Sequence, residues 1–425
     1  MTRFRKQLAA IFLAAFAGST CLADAPAKDW PQFHGPARDN INKETGLLKE
    51  WPKEGPPLAW KAKGIGDSHA SIAVADGKIF TSGEDDSGNV MAFALNEKDG
   101  SPIWKAKVGG LGNNSDDQGG KGSRSTPTVD GNIVYVLGPV GDIVALAVAD
   151  GKEAWHANLK KEFHGTVPFW GYSDALLVEG NNVLCIPGGK DGTVLALNKK
   201  TGKKVWQSKD LTDPAHYTSL VTAEIGGVHQ AVVLTSEHVA GIDPKDGAVL
   251  WSVVRQGATA VCPSPVVHEN LVYVTSGYGV GCDLFKINSE GGKFSVEPVY
   301  THAKNRNMQN HHGGVIYLDG FIYGYSDRKN WICQDFMTGA VKWSAKESVG
   351  KGTIAYADGH FYIRDEGGKG TIALIEASPE AYKEVGHFNP PDLSHKPYWP
   401  HMVIANGKLY VRDMDTLLCY DIKAK

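Results

Sequence analysis

Short runs of alternating apolar and polar residues recur along the chain, and a turn dipeptide interrupts each run near its middle. Asp-Gly or Asn-Gly between two alternating runs predicts a β-hairpin, because these residues readily adopt the positive φ of a type I′ turn. Five segments have this form: Ser71–Phe80, Ser125–Val136, Gly314–Tyr323, Thr353–Tyr362 and His401–Tyr410. The pattern therefore predicts an antiparallel, all-β chain.

A second motif follows the hairpins at a regular distance. It consists of an apolar strand, a turn containing glycine, and an aromatic residue four positions after that glycine. The clear copies end at Trp104, Trp155, Trp206, Trp251 and Trp343. The last interval is about twice the others, which indicates a degenerate copy over 284–300 that ends in Tyr300. Each period of about 45–50 residues then holds four antiparallel strands, which is one blade of a β-propeller.

The two ends of the chain complement each other. The last residues, 401–422, supply only three strands, whereas 57–63 supply one strand that carries Trp60. Joined in one sheet, these strands complete an eighth blade and remove the open sheet edges. We therefore predict a single eight-bladed β-propeller over residues 57–425. The aromatic residues expected to pack each outer strand against the neighbouring blade are Trp60, Trp104, Trp155, Trp206, Trp251, Tyr300 and Trp343.

Residues 1–25 are typical of an export signal. A basic start precedes an apolar run of ten residues, Leu8–Ala17, and small residues occupy the cleavage position at Ala23 and Ala25. Ten residues are too few to cross a bilayer, and no later run approaches the length of a membrane span. We expect a periplasmic or secreted protein in which 26–56 form an N-terminal extension. Lipid anchoring at Cys21 stays open.

The charge and the cysteine content of the chain bear on nucleic-acid binding and on disulfide formation. Removal of the signal takes away three basic residues and one acidic residue, so the formal charge changes from −3 to −5. Without a clustered basic stripe, the chain is not expected to bind nucleic acid. The five remaining cysteines do not form a disulfide scaffold, although one bridge, such as Cys262 with Cys282, stays open. We expect a monomer.

The copy at Ala196–Trp206, of the form Ala-Leu-Asn-x-x-Thr-Gly-x-x-x-Trp, resembles the repeat of the quinoprotein-type propellers, the family named for pyrroloquinoline quinone. The segment Asp29–Asn40 also looks like the opening of exported bacterial members. This resemblance covers residues 30–425 and implies an eight-bladed ring. The family includes quinone-dependent alcohol and sugar dehydrogenases. It also includes cofactor-free scaffolds similar to the propeller lipoprotein of the outer-membrane barrel assembly machinery.

The resemblance does not by itself assign a cofactor. Dehydrogenases of this family usually have an adjacent cysteine pair against the quinone, a calcium ion held by Glu and Asn, and a catalytic Asp. The chain has no adjacent cysteines, and no position matches the other residues well enough to carry a role over. We therefore favour a non-catalytic binding or assembly scaffold of the cell envelope, with a protein partner or a small polar ligand. The alternative is a pyrroloquinoline quinone-dependent dehydrogenase that oxidises alcohols or sugars and uses calcium.

Candidate ligand-binding residues precede the innermost strands, whose starts converge at one end of a propeller channel. Counting back from each hairpin turn in steps of two keeps side chains on one face of the strand. This count selects His69, Tyr172, His312, Lys351, Trp399 and His401, and the further candidates at the same strand ends are Arg124, Trp170, His216 and His311. Cations, imidazoles and indoles in one cavity suit an anionic or hydroxylated small molecule. Contact of these residues with water alone is the other interpretation.

A metal ion is not expected at this end of the channel. His69, His216, His312 and His401 carry suitable nitrogens, but they belong to distant blades. Zinc and copper sites require ligands within about 2.0–2.3 Å of the ion, which residues spread around a wide ring seldom reach. Under the dehydrogenase interpretation, Arg124 or Lys351 would polarise the quinone carbonyls.

Overall fold

The predicted eight-bladed propeller is confirmed by a computed structural model, which describes residues 29–111, 122–394 and 396–425. The export signal predicted over 1–25, with Cys21, lies outside the described residues. Each blade contains four antiparallel strands, and in the first seven blades these follow the chain from the innermost strand outwards. In the described part of the chain, no helix is long and apolar enough to cross a membrane.

Two strands precede the first blade, β1 (Ile41–Asn42) and β2 (Leu58–Lys63). Blades 1 to 4 follow in chain order: β3 (Ala73–Ala75), β4 (Lys78–Glu84), β5 (Asn89–Asn96), β6 (Pro102–Gly110); β7 (Thr128–Asp130), β8 (Ile133–Leu137), β9 (Asp142–Ala147), β10 (Glu153–Asn158); α1 (Leu159–Phe163); β11 (Leu177–Glu179), β12 (Asn182–Cys185), β13 (Leu195–Asn198), β14 (Lys204–Gln207); and β15 (Val221–Ile225), β16 (Val228–Leu234), β17 (His238–Ile242), β18 (Val249–Val254). The short helix α1 connects blades 2 and 3.

Blades 5 to 8 complete the ring: β19 (Val266–His268), β20 (Leu271–Ser276), β21 (Gly281–Glu290), β22 (Lys293–Tyr300); β23 (Val315–Leu318), β24 (Phe321–Ser326), β25 (Asn330–Asp335), β26 (Val341–Ser344); β27 (Gly352–Ala357), β28 (His360–Asp365), β29 (Ile372–Glu376), β30 (Glu384–Phe388); and β31 (Val403–Ala405), β32 (Lys408–Asp413), β33 (Thr416–Asp421). The degenerate copy forms blade 5, in which Leu284 lies opposite Tyr300.

Strand β2 closes the ring, as the sequence predicts. It pairs antiparallel with β33, so that Trp60 lies opposite Cys419 and Lys63 lies opposite Thr416. The eighth blade therefore contains the first long strand of the chain and its last three strands. This pairing satisfies backbone groups that would otherwise form an exposed sheet edge.

Most of the tryptophans that end a repeat pack against a glycine of the next blade. Trp104 illustrates the contact: its Nε1–H donates to the Val148 carbonyl at 3.0 Å, and its ring covers Gly151. A Cβ atom on Gly151 would lie 2.7 Å from Trp104 Cε3, and φ there is +72°, so glycine suits both the contact and the turn. The repeat thus encodes the contact between adjacent blades as well as the blade itself.

Trp251 does not follow this arrangement. Its Nε1–H donates to Gln230 Oε1 of its own blade at 2.7 Å, and its ring packs beside Gly241. The reason lies in blade 5, where β21 and β22 extend into a longer hairpin and no glycine occupies the docking position. The indole still belongs to an apolar cluster that includes Phe285 and Ile287 of blade 5.

Residues 30–42, here called the channel segment, cross the central channel. Strand β1 pairs in parallel with β27 of blade 7, and Asn42 Nδ2 donates to the Ile404 carbonyl of blade 8 at 2.7 Å. The segment also bonds to the first three blades, through Trp30 to Val74, Pro31 to Val129, and Arg38 to Ala175 and Leu176. Five blades therefore hold the beginning of the described chain inside the ring.

Candidate functional site

A cavity of about 360 Å³ occupies the channel where the innermost strands begin. The channel segment contributes Phe33 to its wall, and seven blades or the loops that precede them contribute the remainder. The wall residues are Phe33, His69, Ser71, Arg124, Thr126, Trp170, Ser173, Tyr217, Ser219, Ala260, Cys262, Tyr278, His311, His312, Trp399 and His401. The structure thus brings together seven of the ten candidates that the sequence suggests.

The other three candidates lie behind or beside the wall. Tyr172 is fully buried, and its hydroxyl donates to the Pro187 carbonyl at 3.0 Å. His216 accepts a hydrogen bond from the Val261 amide on Nδ1 at 3.1 Å. Lys351 Nζ forms an ion pair with Asp327 Oδ1 at 2.9 Å. The spacing rule fails for Tyr172 because its hydroxyl and its amide, which donates to the Pro139 carbonyl at 2.9 Å, are both held away from the cavity, and Ser173 faces the cavity instead.

Several aromatic wall residues were not among the sequence candidates. Tyr217 directly follows the candidate His216, so a shift of one residue in register would have found it. Tyr278 lies in the loop between β20 and β21, which the spacing rule does not cover. Phe33 belongs to the predicted N-terminal extension, and no sequence pattern indicates that this extension lies inside the ring. Tyr278 is one of the exposed large hydrophobic residues, so it forms part of the cavity mouth.

Glu366 organises the polar side of the cavity. Its Oε2 atom accepts the Trp399 indole hydrogen at 3.0 Å and lies 2.8 Å from His312 Nε2. Its Oε1 atom is 3.9 Å from Lys351 Nζ. Burial alone would raise the pKa of Glu366, but the His312 contact and the charge of Lys351 outweigh burial and lower it. Glu366 is therefore an anion at neutral pH.

Two imidazoles of the wall, those of His311 and His401, are neutral at neutral pH. His401 Nε2–H donates to the His312 carbonyl at 3.1 Å, which leaves His401 Nδ1 to accept from His34 Nε2–H at 3.0 Å. Burial lowers the pKa of His401 to about 4, although the hydrogen bond to the His312 carbonyl acts in the opposite direction. Burial and the adjacent His312 likewise lower the pKa of His311 to about 4. These rings act as hydrogen-bonding groups and as nitrogen donors rather than as cations.

Arg124 supplies a positive charge to the wall. One of its Nη atoms donates to the Trp170 carbonyl at 3.0 Å, which links the loops before blades 2 and 3. Burial lowers the pKa of Arg124, although a guanidinium remains protonated in proteins. Cys262 lies nearby as a thiol, and burial raises its pKa to about 12. The five cysteines that the structure describes are all unpaired, Cys262 and Cys282 among them.

The described wall does not match a calcium-bound quinone. Calcium takes 6–8 oxygen ligands, mainly carboxylates and carbonyls. Among the described residues, the wall carries hydroxyls and imidazoles but no Asp, Glu, Asn or Gln side chain. Glu366 lies behind this wall and already contacts Trp399 and His312. Cys262 stands there as a single thiol, so the cysteine pair of the dehydrogenases has no counterpart.

The eight blades and the tryptophan-on-glycine contacts define a propeller with quinoprotein-type repeats, which confirms the resemblance inferred from the repeat. The chain belongs to the family whose model is described as outer membrane protein assembly factor BamB; that model matches residues 86–345.

Relatives within this family differ in what their names describe. The chain is 24% identical over 227 residues to an outer membrane protein assembly factor BamB of Xanthomonas campestris pv. campestris, covering 53% of this chain and 49% of that protein. It is 25% identical over 237 residues to a tetrathionate hydrolase of Acidithiobacillus ferrooxidans, covering 50% and 44%. A quinoprotein alcohol dehydrogenase PedH of Pseudomonas putida is 26% identical over 168 residues, covering 37% and 26%. The chain thus spans at most about half the length of these relatives.

Solved structures support the same fold. BamB from Moraxella catarrhalis superposes with a TM-score of 0.60 at 14% identity, covering 87% of this chain and 98% of that chain. Quinohemoprotein alcohol dehydrogenase from Comamonas testosteroni superposes with a TM-score of 0.63 at 12% identity, covering 94% and 81%. At such low identity these superpositions concern the propeller alone, because one fold serves many functions.

Proposed function

We propose that this protein is a non-catalytic binding propeller of the cell envelope, and that its central cavity takes a small molecule bearing carboxylate and hydroxyl groups. The observation that carries the proposal is the composition of the cavity wall. One guanidinium, several imidazoles, several hydroxyls and aromatic faces surround a space of about 360 Å³. A cavity of this size is at the lower end of small-molecule sites, so it suits a ligand of one or two rings.

The wall residues divide the recognition of such a ligand between them. Arg124 offers charge-assisted hydrogen bonds to a carboxylate. Ser71, Thr126 and Ser219 offer hydroxyls, and the Trp170 and Trp399 rings offer flat faces against which a sugar-like ring packs. A uronic acid, which combines a pyranose ring with a carboxylate, has this chemistry.

Two observations support a scaffold rather than a dehydrogenase. The described wall lacks the oxygen ligands that calcium needs, and Cys262 is a single protonated thiol. The family model, described as an outer membrane protein assembly factor, and the export signal predicted over 1–25 favour a periplasmic or secreted protein with an envelope partner. Under this proposal the protein needs no cofactor.

Calorimetric titration of the full chain with glucuronate, glucose and acetate tests the proposal. We expect glucuronate to bind most tightly, and Arg124→Gln and Trp170→Ala each to weaken it by about tenfold or more, since one lost contact of this kind contributes roughly 1–3 kcal/mol. Arg306→Gln is the matched control, because Arg306 is exposed and does not line the cavity. This variant should bind glucuronate as wild type does.

Two results would overturn the proposal. Equal binding of glucuronate by wild type and by both cavity variants would show that the cavity is not the binding site. Tight binding of pyrroloquinoline quinone with calcium, together with dye-linked oxidation of an alcohol or sugar, would establish the dehydrogenase alternative.

A further inference from the structure

Two histidines and one glutamate meet at the polar side of the cavity. His311, His312 and Glu366 each place one nitrogen or oxygen donor within 4.8 Å of the donors of the other two. The closest pair, His312 Nε2 and Glu366 Oε2, is separated by 2.8 Å. Ligand atoms bonded to one zinc ion at about 2.0–2.2 Å lie roughly 3–3.5 Å apart. A small rotation of one side chain would therefore bring all three donors to a single ion.

His311 has the orientation of a metal-binding imidazole whose second nitrogen is hydrogen-bonded to a neighbouring side chain. Its Nε2 atom is 2.8 Å from the Tyr278 hydroxyl, while its Nδ1 atom is buried and has no hydrogen-bond partner in the described part of the chain. Metal-bound imidazoles usually bond to a polar group through their second nitrogen, which fixes the ring. A buried nitrogen without a partner is unfavourable in the metal-free protein, and a bound cation would satisfy it.

The charges around the three donors favour a cation. Glu366 and Asp327 are carboxylates, and Lys351 is the ammonium that lies between them, 2.9 Å from Asp327 Oδ1 and 3.9 Å from Glu366 Oε1. The two carboxylates and the one ammonium sum to a single net negative charge. A divalent ion beside Glu366 Oε2 would be attracted by the carboxylates and opposed by the Lys351 ammonium.

We propose that His311, His312 and Glu366 form a binding site for a divalent transition-metal ion such as zinc, on the wall of the central cavity. Two imidazole nitrogens and one carboxylate oxygen suit zinc, iron or copper rather than calcium or magnesium. Three protein ligands leave at least one coordination position open, and His311 and His312 both line the cavity. If the proposed function holds, on which this last step rests, a carboxylate or hydroxyl oxygen of the ligand would fill that position.

The proposed metal site differs from the four-histidine site considered, and not expected, from the sequence. His69, His216 and His401 do not join the group. Trp399 contacts both His69 and His312, with ring centroids 4.7 Å and 5.4 Å apart, so its indole stands between those two imidazoles. Among the histidines that the structure describes, the adjacent pair His311 and His312 groups with the Glu366 carboxylate from blade 7.

Calorimetric titration of the chelator-treated full chain with ZnCl₂ tests the site, and titration with CoCl₂ gives a visible spectrum that reports nitrogen and oxygen coordination. We expect one equivalent to bind, and His312→Gln and Glu366→Gln each to weaken zinc binding at least 100-fold. Tyr278→Phe should weaken it by about tenfold, as losses of outer-shell partners do. His387→Gln, an exposed histidine paired with Glu384, is the control for binding at surface histidines and should not change the affinity.

Lys351→Met distinguishes a metal site from a structural ion-pair network. Removal of the opposing ammonium should tighten zinc binding several-fold, whereas a purely structural role for Glu366 predicts no effect on zinc. Thermal unfolding of each variant without metal verifies that it is folded. The site is disproved if wild type shows no saturable zinc binding at 100 μM, or if Glu366→Gln binds zinc as wild type does. Glucuronate binding by the metal-free protein is measured separately, so the proposed function and the metal site can fail independently.

Discussion

The indole of Trp155 lies so close to Gly202 of the next blade that a Cβ atom on Gly202 would be 2.6 Å from Trp155 Cε3. The Trp155 Nε1–H also donates to the Lys199 carbonyl of that blade at 2.9 Å. Similar glycine contacts, with Cβ distances of 2.5–2.7 Å, join Trp60 to Gly100, Trp104 to Gly151 and Trp206 to Gly247. A ring without one central core is thus held by the same contact repeated between neighbouring blades.

Gly202→Ala should destabilise the protein by about 2–4 kcal/mol. The added methyl group would force the Trp155 ring away from its position, and φ at Gly202 is +69°, where an alanine is strained. Gly180→Ala is the matched control: φ is +56°, but nothing lies within 4 Å of the added methyl, so we expect a loss of about 1 kcal/mol. Urea unfolding measures both. Equal losses for the two variants would show that the indole contact is unimportant.

The fold could be predicted from the sequence because each blade repeats one local pattern and contacts mainly its neighbours. Counting the strands at the two ends of the sequence predicted that 57–63 pairs with the last strands, and the pairing of β2 with β33 confirms this prediction. The exception at Trp251 could not be predicted, because it depends on the length of the β21–β22 hairpin in the next blade.

The distance from a candidate residue to the next innermost strand predicted part of the site. His69 and Arg124 lie four residues before β3 and β7, and both reach the cavity wall. Tyr172 lies five residues before β11 in irregular chain and points into the core instead. Glu366 follows the second strand of blade 7, and Phe33 comes from the channel segment. No local pattern relates either residue to the start of an innermost strand.

Blades 4 and 5 depend on a buried ion pair. Arg255 Nε is 3.0 Å from Asp283 Oδ2, and the guanidinium also donates to Ser276 Oγ and the Gly281 carbonyl. Arg255→Met should destabilise the protein by about 3–5 kcal/mol, because it removes the guanidinium from the buried Asp283 carboxylate and leaves that carboxylate with its contacts to His302. Adding Asp283→Asn should recover part of that loss, since the remaining charge is removed. Chemical denaturation of the single and double variants measures this coupling, and simple additivity would contradict it.

Asp174 should make the stability of the protein decrease as pH rises. Its carboxyl is buried, and burial raises its pKa to about 7, although the Ile186 amide and Arg38 act in the opposite direction. In the unfolded chain the pKa returns to about 3.9, so between pH 4 and 7 the folded state binds more protons than the unfolded state. The stabilisation is complete below about pH 4 and is lost as pH rises through 7.

Asp174→Asn tests this effect, because an amide resembles the protonated acid and does not titrate. The free energy of unfolding of the variant relative to wild type should increase by on the order of 2–4 kcal/mol between pH 4.5 and 8. Asp86→Asn, at an exposed position, serves as the control and should show no such change. A difference between Asp174→Asn and wild type that stays constant with pH would mean that Asp174 is ionised throughout.

Arg38 is expected to hold the channel segment in the ring. One of its Nη atoms donates to the Ala175 carbonyl at 2.7 Å and the other to the Leu176 carbonyl at 3.2 Å, both from blade 3. Arg38→Met keeps the apolar stem but removes these bonds, so the segment should open more often and trypsin should cleave after Lys43 at least tenfold faster.

Lys49→Met is the control for this experiment, because Lys49 pairs with Asp358 at the surface with its side chain 54% exposed, and exposed pairs contribute little. Its cleavage rate at Lys43 should match that of wild type. Mass spectrometry identifies the fragments, and the uncleaved fraction over time gives the rate. If Arg38→Met were cleaved no faster than wild type, β1 and the Asn42 bond to blade 8 would suffice to hold the segment, and the role of Arg38 would be limited to the charge it places near Asp174.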